Sequence, residues 1–296
     1  MRLTYLIAAA TIGFSGPAFS ASLTVQETLG TFNLVTETYT GNQEVEGRTY
    51  IDGDLTSVSG QFGFVSPSDG QDIAALSVNG DLINSNINLT TTTQARVSGS
   101  VIGSRVNNGT VEQNVSTLPD VSFASYLLES QYLSTLTGVS ANVSDQNNKV
   151  FGGAQIVDVA LSDLSTGGYS FNFGTEDFLI INVSGTTGSF GMNPLGSTVS
   201  AASNVLWNFF EATNVQVNSV ISGHILAPNA VLSGFNGSSE GTVIAKSVNL
   251  TNGELHQQTW TGLIPVETTT PVPLPAGLPM LLAGLGVFGF MRRLTA

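Results

Sequence analysis

Three aspartates sit beside glycines inside short apolar runs. Asp52 and Asp54 lie in Ile51-Asp52-Gly53-Asp54-Leu55, and Asp81 in Val78-Asn79-Gly80-Asp81-Leu82. On a strand, residues i and i+2 leave the same face, so Asp52 and Asp54 would stand side by side as a glycosidase carboxylate pair. Asp-Gly is also ordinary turn chemistry, and the turn is the preferred reading. Carboxylates held in glycine turns make Asp52, Asp54 and Asp81 the candidate calcium ligands, although the chain carries no EF-hand loop or Asp-rich nonapeptide repeat. His224 and His256 lie 32 residues apart with no further ligand at workable spacing, so they are expected to be hydrogen-bonded structural histidines rather than zinc ligands. A polysaccharide lyase needs clustered cations and a base. The internal cations, Arg48, Arg96, Arg105, Lys149 and Lys246, are dispersed. No Gly-x-Ser-x-Gly falls on a strand-to-helix elbow, and cysteine is absent, which removes thiolate chemistry and disulfides. No enzyme and no obligatory cofactor are expected.

Composition narrows the classes further. The 296 residues carry 8 Lys+Arg against 21 Asp+Glu, a net charge of −13, and 41% are apolar. That is enough apolar matter for a large core, and too little clustered positive charge for a nucleic-acid partner.

The elements that would position any site lie between two terminal signals. Met1-Arg2, an apolar run from Leu3 to Phe14 and small residues at Ala18 and Ser20 form the three-part pattern of a secretory signal over 1–20. Signal peptidase would cut between Ser20 and Ala21. At the other end a Thr/Pro linker over 263–276 carries Val272-Pro273-Leu274-Pro275-Ala276. An uncharged stretch from Gly277 to Met291 follows, closed by Arg292-Arg293. The Arg pair fits the positive-inside rule for a membrane helix over 277–296, which would hold the precursor at the inner membrane. Gly284, Gly286 and Gly289 also suit the small face of a helix dimer. This tail resembles the VPLPA-type member of the PEP-CTERM class of bacterial sorting signals. The resemblance implies a Gram-negative bacterium, processing by an exosortase-type membrane enzyme, and delivery to the cell surface or extracellular matrix. Without the two ends, the body keeps five basic residues against all 21 acidic ones, a formal charge of −16.

Between them, residues 21–262 read as one domain of short strands. Apolar runs are punctuated by Gly, Asn, Asp and Ser, and phrases recur: Gly80 to Gly99 spans 19 residues, Gly223 to Gly241 spans 18. A strand–Gly–strand unit at that period predicts a mainly β fold, a right-handed parallel β-helix (β-solenoid), with glycines at positive-φ corners. A β-sandwich is the alternative, since it also has closely spaced short strands. One helix interrupts the pattern, capped at Asp120 or Ser122 and ended by Gly138. Its stripe of Phe123, Tyr126, Leu127, Ser130, Leu133 and Leu136 predicts about 18 residues lying along the solenoid flank.

The body resembles the choice-of-anchor A domain. Phe32-Asn33-Leu34-Val35 and Val45-Glu46-Gly47-Arg48 match its opening, and Gly223-His224-Ile225-Leu226-Ala227-Pro228 and Gly241-Thr242-Val243-Ile244-Ala245 match its ending. That family implies an exported domain joined to a surface-sorting signal, with no catalytic residues to carry over. The same outline is similar to the ice-binding adhesin fold. Thr90-Thr91-Thr92-Thr93 would be the start of a flat threonine face, yet no Thr-x-Thr column is traceable on successive coils. The expected protein is therefore a non-enzymatic structural or matrix protein of the envelope or biofilm, with extracellular polysaccharide as a possible partner. The alternatives are an ice- or glycan-binding adhesin and a carbohydrate-active enzyme.

Overall fold

A computed structural model describes residues 22–65, 70–90 and 92–267. The chain divides into two units, Met1–Ile264 and Pro265–Ala296. Ser20 and Ala21, Val272 to Ala276, and Arg292 and Arg293 all lie outside the described residues, as do the two expected terminal helices. Among the described residues no helix is long and apolar enough to cross a membrane.

Every strand-to-strand ladder among the described residues is parallel. A sandwich of antiparallel sheets is thereby set aside in favour of a parallel β-solenoid. The repeat phrases stack in register as their spacing requires. Leu76 pairs with Ala95 and Leu82 with Val101, 19 residues apart, and Ile225 pairs with Val243 at 18.

Coil order does not follow chain order. Helix α1 (Val25–Thr31) leads into β1 (Leu34–Gly41), β2 (Thr49–Ile51), β3 (Leu76–Val78), β4 (Gln94–Val97) and β5 (Thr110–Gln113). After α2 (Phe123–Ser134) come β6 (Val139–Ser140), β7 (Ile156–Ala160), β8 (Leu179–Ser184), β9 (Val205–Asn208), β10 (His224–Gly234) and β11 (Val243–Leu250). Across the spine sheet the order is β5-β4-β3-β2-β1-β11-β10-β9-β8-β7-β6. The chain thus begins mid-stack and winds outward to β5. It crosses through α2 to the far end, then winds back until β11 closes on β1. Leu34 pairs with Val243 at that seam.

Glycine at the corners answers two different demands. Gly223 and Gly241 each take φ +119, and a Cβ on Gly241 would lie 2.8 Å from the Gly223 backbone. At Gly80 and Gly99 the backbone is not in the left-handed region. There the cause is close approach alone: a Cβ on Gly99 would meet the Gly80 carbonyl at 2.8 Å.

Alternation along the spine strands fills two cores. Leu34, Ile225, Ala227, Val243 and Trp207 point into the solenoid, while Val35, Leu226, Ile244, Leu206 and Ile180 point outward under the helices. Trp207 is packed by Phe151, Phe190 and Tyr169 at centroid distances of 5.0, 5.3 and 5.8 Å, and its Nε1 donates to Ser222 O at 3.0 Å.

Helix α1 was not expected, although Thr24-Val25-Gln26-Glu27 is a capping box. Thr24 accepts from the Glu27 amide, and Glu27 accepts from the Thr24 amide at 2.9 Å. Helix α2 lies on the flank as predicted, packed on β9 and β10 with Tyr126, Ser130 and Leu133 buried. It has 12 residues instead of about 18. Ser122 is its N-cap, and Thr135 closes the last turn with its hydroxyl on Tyr132 O at 2.7 Å. Gly138 takes no part in the cap and instead abuts Asp158.

The helix is fastened through polar side chains. Asp158, Asn182 and Asn208 stand in register on β7, β8 and β9. Asn208 Nδ2 donates to Ser130 O and Asn182 Oδ1, both at 2.9 Å, and Asn182 Nδ2 donates to Leu133 O at 3.1 Å. Glu129 of α2 accepts from the Val25 amide of α1. Gln26 then ties α1 to the end of the unit, donating to Gly262 O and accepting from the Ile264 amide at 2.7 Å.

Candidate binding face

The aspartates singled out from the sequence are coil-to-coil acceptors. Asp54 Oδ1 takes the Asp81 amide at 2.8 Å, Asp81 Oδ1 takes the Ser100 amide at 2.7 Å, and Asp52 Oδ1 takes Asn79 Nδ2 at 2.8 Å. One staircase of side-chain bonds therefore climbs the glycine corners. Among the described residues no group of three or more His, Asp and Glu is arranged to hold a metal ion.

The histidines fall on different faces. His224 is fully buried on the outer side of β10, accepting the Thr242 amide on Nδ1 at 3.0 Å and meeting Trp260 edge-on at 5.5 Å. Burial pushes its pKa down to about 3, so it stays neutral. His256 lies in the strand Leu255–His256, beside the seam between the two sets of coils. Its Nδ1 is 2.8 Å from Glu240 Oε1 and its Nε2 is 3.6 Å from Glu254 Oε2. Burial opposes its charge, but hydrogen bonds to Glu240 and Glu254 and the charges of Glu240 and Glu46 outweigh it and raise the pKa. Glu44, on the paired strand, is raised by burial and by Glu254 and Glu46. Both shifts have one sign: each proton is held more tightly folded than unfolded. Their stabilising contribution is complete below the unfolded pKa values and is lost as pH rises through the folded ones. His256→Gln is therefore expected to lower stability by about 1 kcal/mol at pH 5.5 and by much less at pH 9, after allowance for solvent screening. Urea unfolding at the two pH values checks this, and an equal loss at both would refute it.

The internal cations do not converge. Arg96 pairs with Asp72 at 2.8 Å and Glu112 at 3.3 Å, while Lys149 is buried and donates to the carbonyls of Asp163 and Thr166. Arg105 and Lys246 are exposed on other strands.

The threonine run is not a face. Thr90 donates its amide to Thr93 Oγ1 at 2.9 Å and Thr93 returns its own to Thr90 O, so the pair closes a turn, with Thr91 outside the described residues. A regular face of five strands in register lies elsewhere. Past the bend at Ala227/Val231, the second half of β10 pairs with β11 and with the strand Asn214–Val217. Beyond them lie β1 on one side and Thr187–Phe190 on the other. Two outward rows run straight across these five strands. One is Thr187, Asn214, Val231, Ser247 and Thr38, and the other is Ser189, Gln216, Ser233, Asn249 and Thr40. Between them an inner row of Val215, Leu232, Val248 and Tyr39 is buried and locks the backbone.

Parallel pairing sets about 4.8 Å between strands and about 6.6 Å between the two rows, a regular two-dimensional grid. None of its ten side chains is charged, in a chain of net charge −13. Thr38 Oγ1 donates to Ser247 Oγ at 2.8 Å, so neighbouring hydroxyls are already ordered. Thr38-Tyr39-Thr40 is a Thr-x-Thr unit, but its column continues at residues 247–249, 231–233, 214–216 and 187–189. No pattern in chain order reveals that sequence of neighbours.

The model of a family described as "Putative Ice-binding-like adhesive domain" matches residues 25–257. No curated protein matches the chain. A search of solved structures returns an ice-binding protein from the Antarctic ascomycete Antarctomyces psychrotrophicus at 13% identity. The match covers 79% of this chain and 97% of that one, with a TM-score of 0.33.

Proposed function

This chain belongs to the ice-binding-like adhesive domain family, and from that premise we propose a non-enzymatic surface adhesin whose flat grid engages ice. The observation that carries the reading is the uninterrupted pair of neutral rows on a rigid sheet. Ice presents water oxygens at fixed spacing. A surface can match such a lattice if it is flat, regular and free of side chains that hold their own tight hydration. Nine of the ten side chains are hydroxyls or amides, the tenth being Val231, and groups fixed on a β-lattice can order bridging waters at little entropic cost. A charged grid would keep its own hydration shell instead.

The flat face can be tested by freezing a dilute solution onto a cold finger. The wild type is expected to enter the ice fraction and to restrain ice recrystallisation. Ser247→Tyr, which raises a bulky side chain mid-grid, is expected to stay in the liquid with unchanged circular dichroism. Exclusion of the wild type from ice would overturn the reading.

Delivery completes the proposal. The signal over 1–20 exports the protein, and a PEP-CTERM-type tail with Val272–Ala276 and Arg292-Arg293 hands it to an exosortase-type enzyme for display on the envelope or in the matrix. The choice-of-anchor A resemblance supports the same itinerary. Intact mass spectrometry of envelope and medium fractions would show a chain from Ala21 to about Ala276. A chain still ending at Ala296 would make the tail a plain anchor.

A further inference from the structure

The helices cover the spine sheet only in part. In the outward row that runs Val35, Tyr50, Ser77, Arg96 and Glu112, the apolar cover ends at Tyr50. Beyond it, a trough of about 440 Å³ lies over β3 and β4, between Asp72–Ala74 on one side and Thr117–Asp120 on the other. We propose that this trough binds a neutral saccharide unit, giving the domain a second adhesive site apart from the flat grid.

Its floor has unspent hydrogen-bonding capacity. Ser77 is fully buried, yet its Oγ has no partner. An unmade bond at such a depth costs about 1–3 kcal/mol, which a ligand hydroxyl would recover. Arg96, the in-register neighbour one strand away, holds Glu112 through Nε, Asp72 O through Nη1 and Asp72 Oδ1 through Nη2. Three of its five N–H groups are used, so two remain on a guanidinium already locked in place. Asp120 supplies carboxylate acceptors from the opposite wall, and its carbonyl is pinned by the Leu23 amide at 2.8 Å.

Charge and wall chemistry select the ligand class. Asp72 and Glu112 already neutralise Arg96, and Asp120 adds negative charge, so a phosphate, sulfate or uronate would be repelled. Ile73 and Leu118 leave an apolar side that suits the C–H face of a pyranose, while the floor and Asp120 meet its hydroxyl edge. The volume falls in the range of small-molecule sites.

Saturation-transfer NMR on the full chain would use the methyl glycosides of glucose, galactose and mannose, N-acetylglucosamine, and galacturonate as the anionic probe. At least one neutral sugar is expected to receive saturation, and galacturonate none. Ser77→Ala removes a hydroxyl that has no partner, so the fold is expected to stand while affinity falls about tenfold. Ser247→Tyr on the flat grid is expected to leave sugar binding unchanged, which separates this site from the ice reading. Absence of transfer to every neutral sugar, preference for galacturonate, or wild-type affinity in Ser77→Ala would each overturn the proposal.

Discussion

Asn208→Ala is expected to destabilise the domain by about 3–4 kcal/mol and to loosen α2 selectively. The side chain is fully buried and makes three hydrogen bonds: two donated, to Ser130 O and Asn182 Oδ1, and one accepted from Ser130 Oγ. Truncation leaves the Asn182 and Ser130 oxygens, and the Ser130 hydroxyl, without this partner beneath a helix that water does not reach. Leaving buried polar groups unpaired costs more than the bonds themselves contribute. Because α2 is the crossing between the two sets of coils, its release exposes Leu206 and Leu226 as well. Urea unfolding gives the total, and hydrogen exchange locates it. Amides of Phe123–Ser134 are expected to exchange far faster than those of β2–β4 in the variant. A uniform rise in exchange, or a loss below 1 kcal/mol, would show that the asparagine ladder does not hold the helix.

Trp207→Ala is expected to cost about 3–5 kcal/mol, the range for deleting a large aromatic from a packed core. Trp207 is fully buried inside the solenoid, ringed by Phe151, Tyr169, Phe171 and Phe190 in edge-on or tilted contacts. Its indole N–H satisfies Ser222 O at a coil corner. Trp207→Phe keeps most of the apolar volume but strands that carbonyl, so a loss of about 1–3 kcal/mol is expected. The near-ultraviolet circular dichroism band should shrink in both variants, because Trp260 is the one remaining tryptophan. Equal stability of Trp207→Phe and wild type would mean that the Ser222 carbonyl finds another partner.

Parallel coils were legible in the repeats because a coil must return to the same corner after a fixed number of residues. Gly80 and Gly99, and Gly223 and Gly241, mark that period directly. The flanking helix was legible because an apolar stripe at helical spacing needs something to lie on. Its length was not, since the last turn is closed by Thr135 and not by the glycine three residues on. Helix α1 was missed despite a readable capping box, since its seven residues are too few for periodicity to register.

By itself, the sequence determined a mainly β body with a repeat suited to a solenoid, the period of the coil, the acidic character of the body and the absence of thiol chemistry. Each is a local or compositional property, present in the chain before it folds. Tertiary structure alone decided that coiling starts mid-stack and that residue 38 neighbours residue 247. It likewise decided that the asparagines at 182 and 208 meet beneath a helix from between 123 and 134. The binding grid belongs to this second kind. Its rows are made by strand register between segments up to about two hundred residues apart, and register exists only once hydrogen bonds have chosen which strands are neighbours.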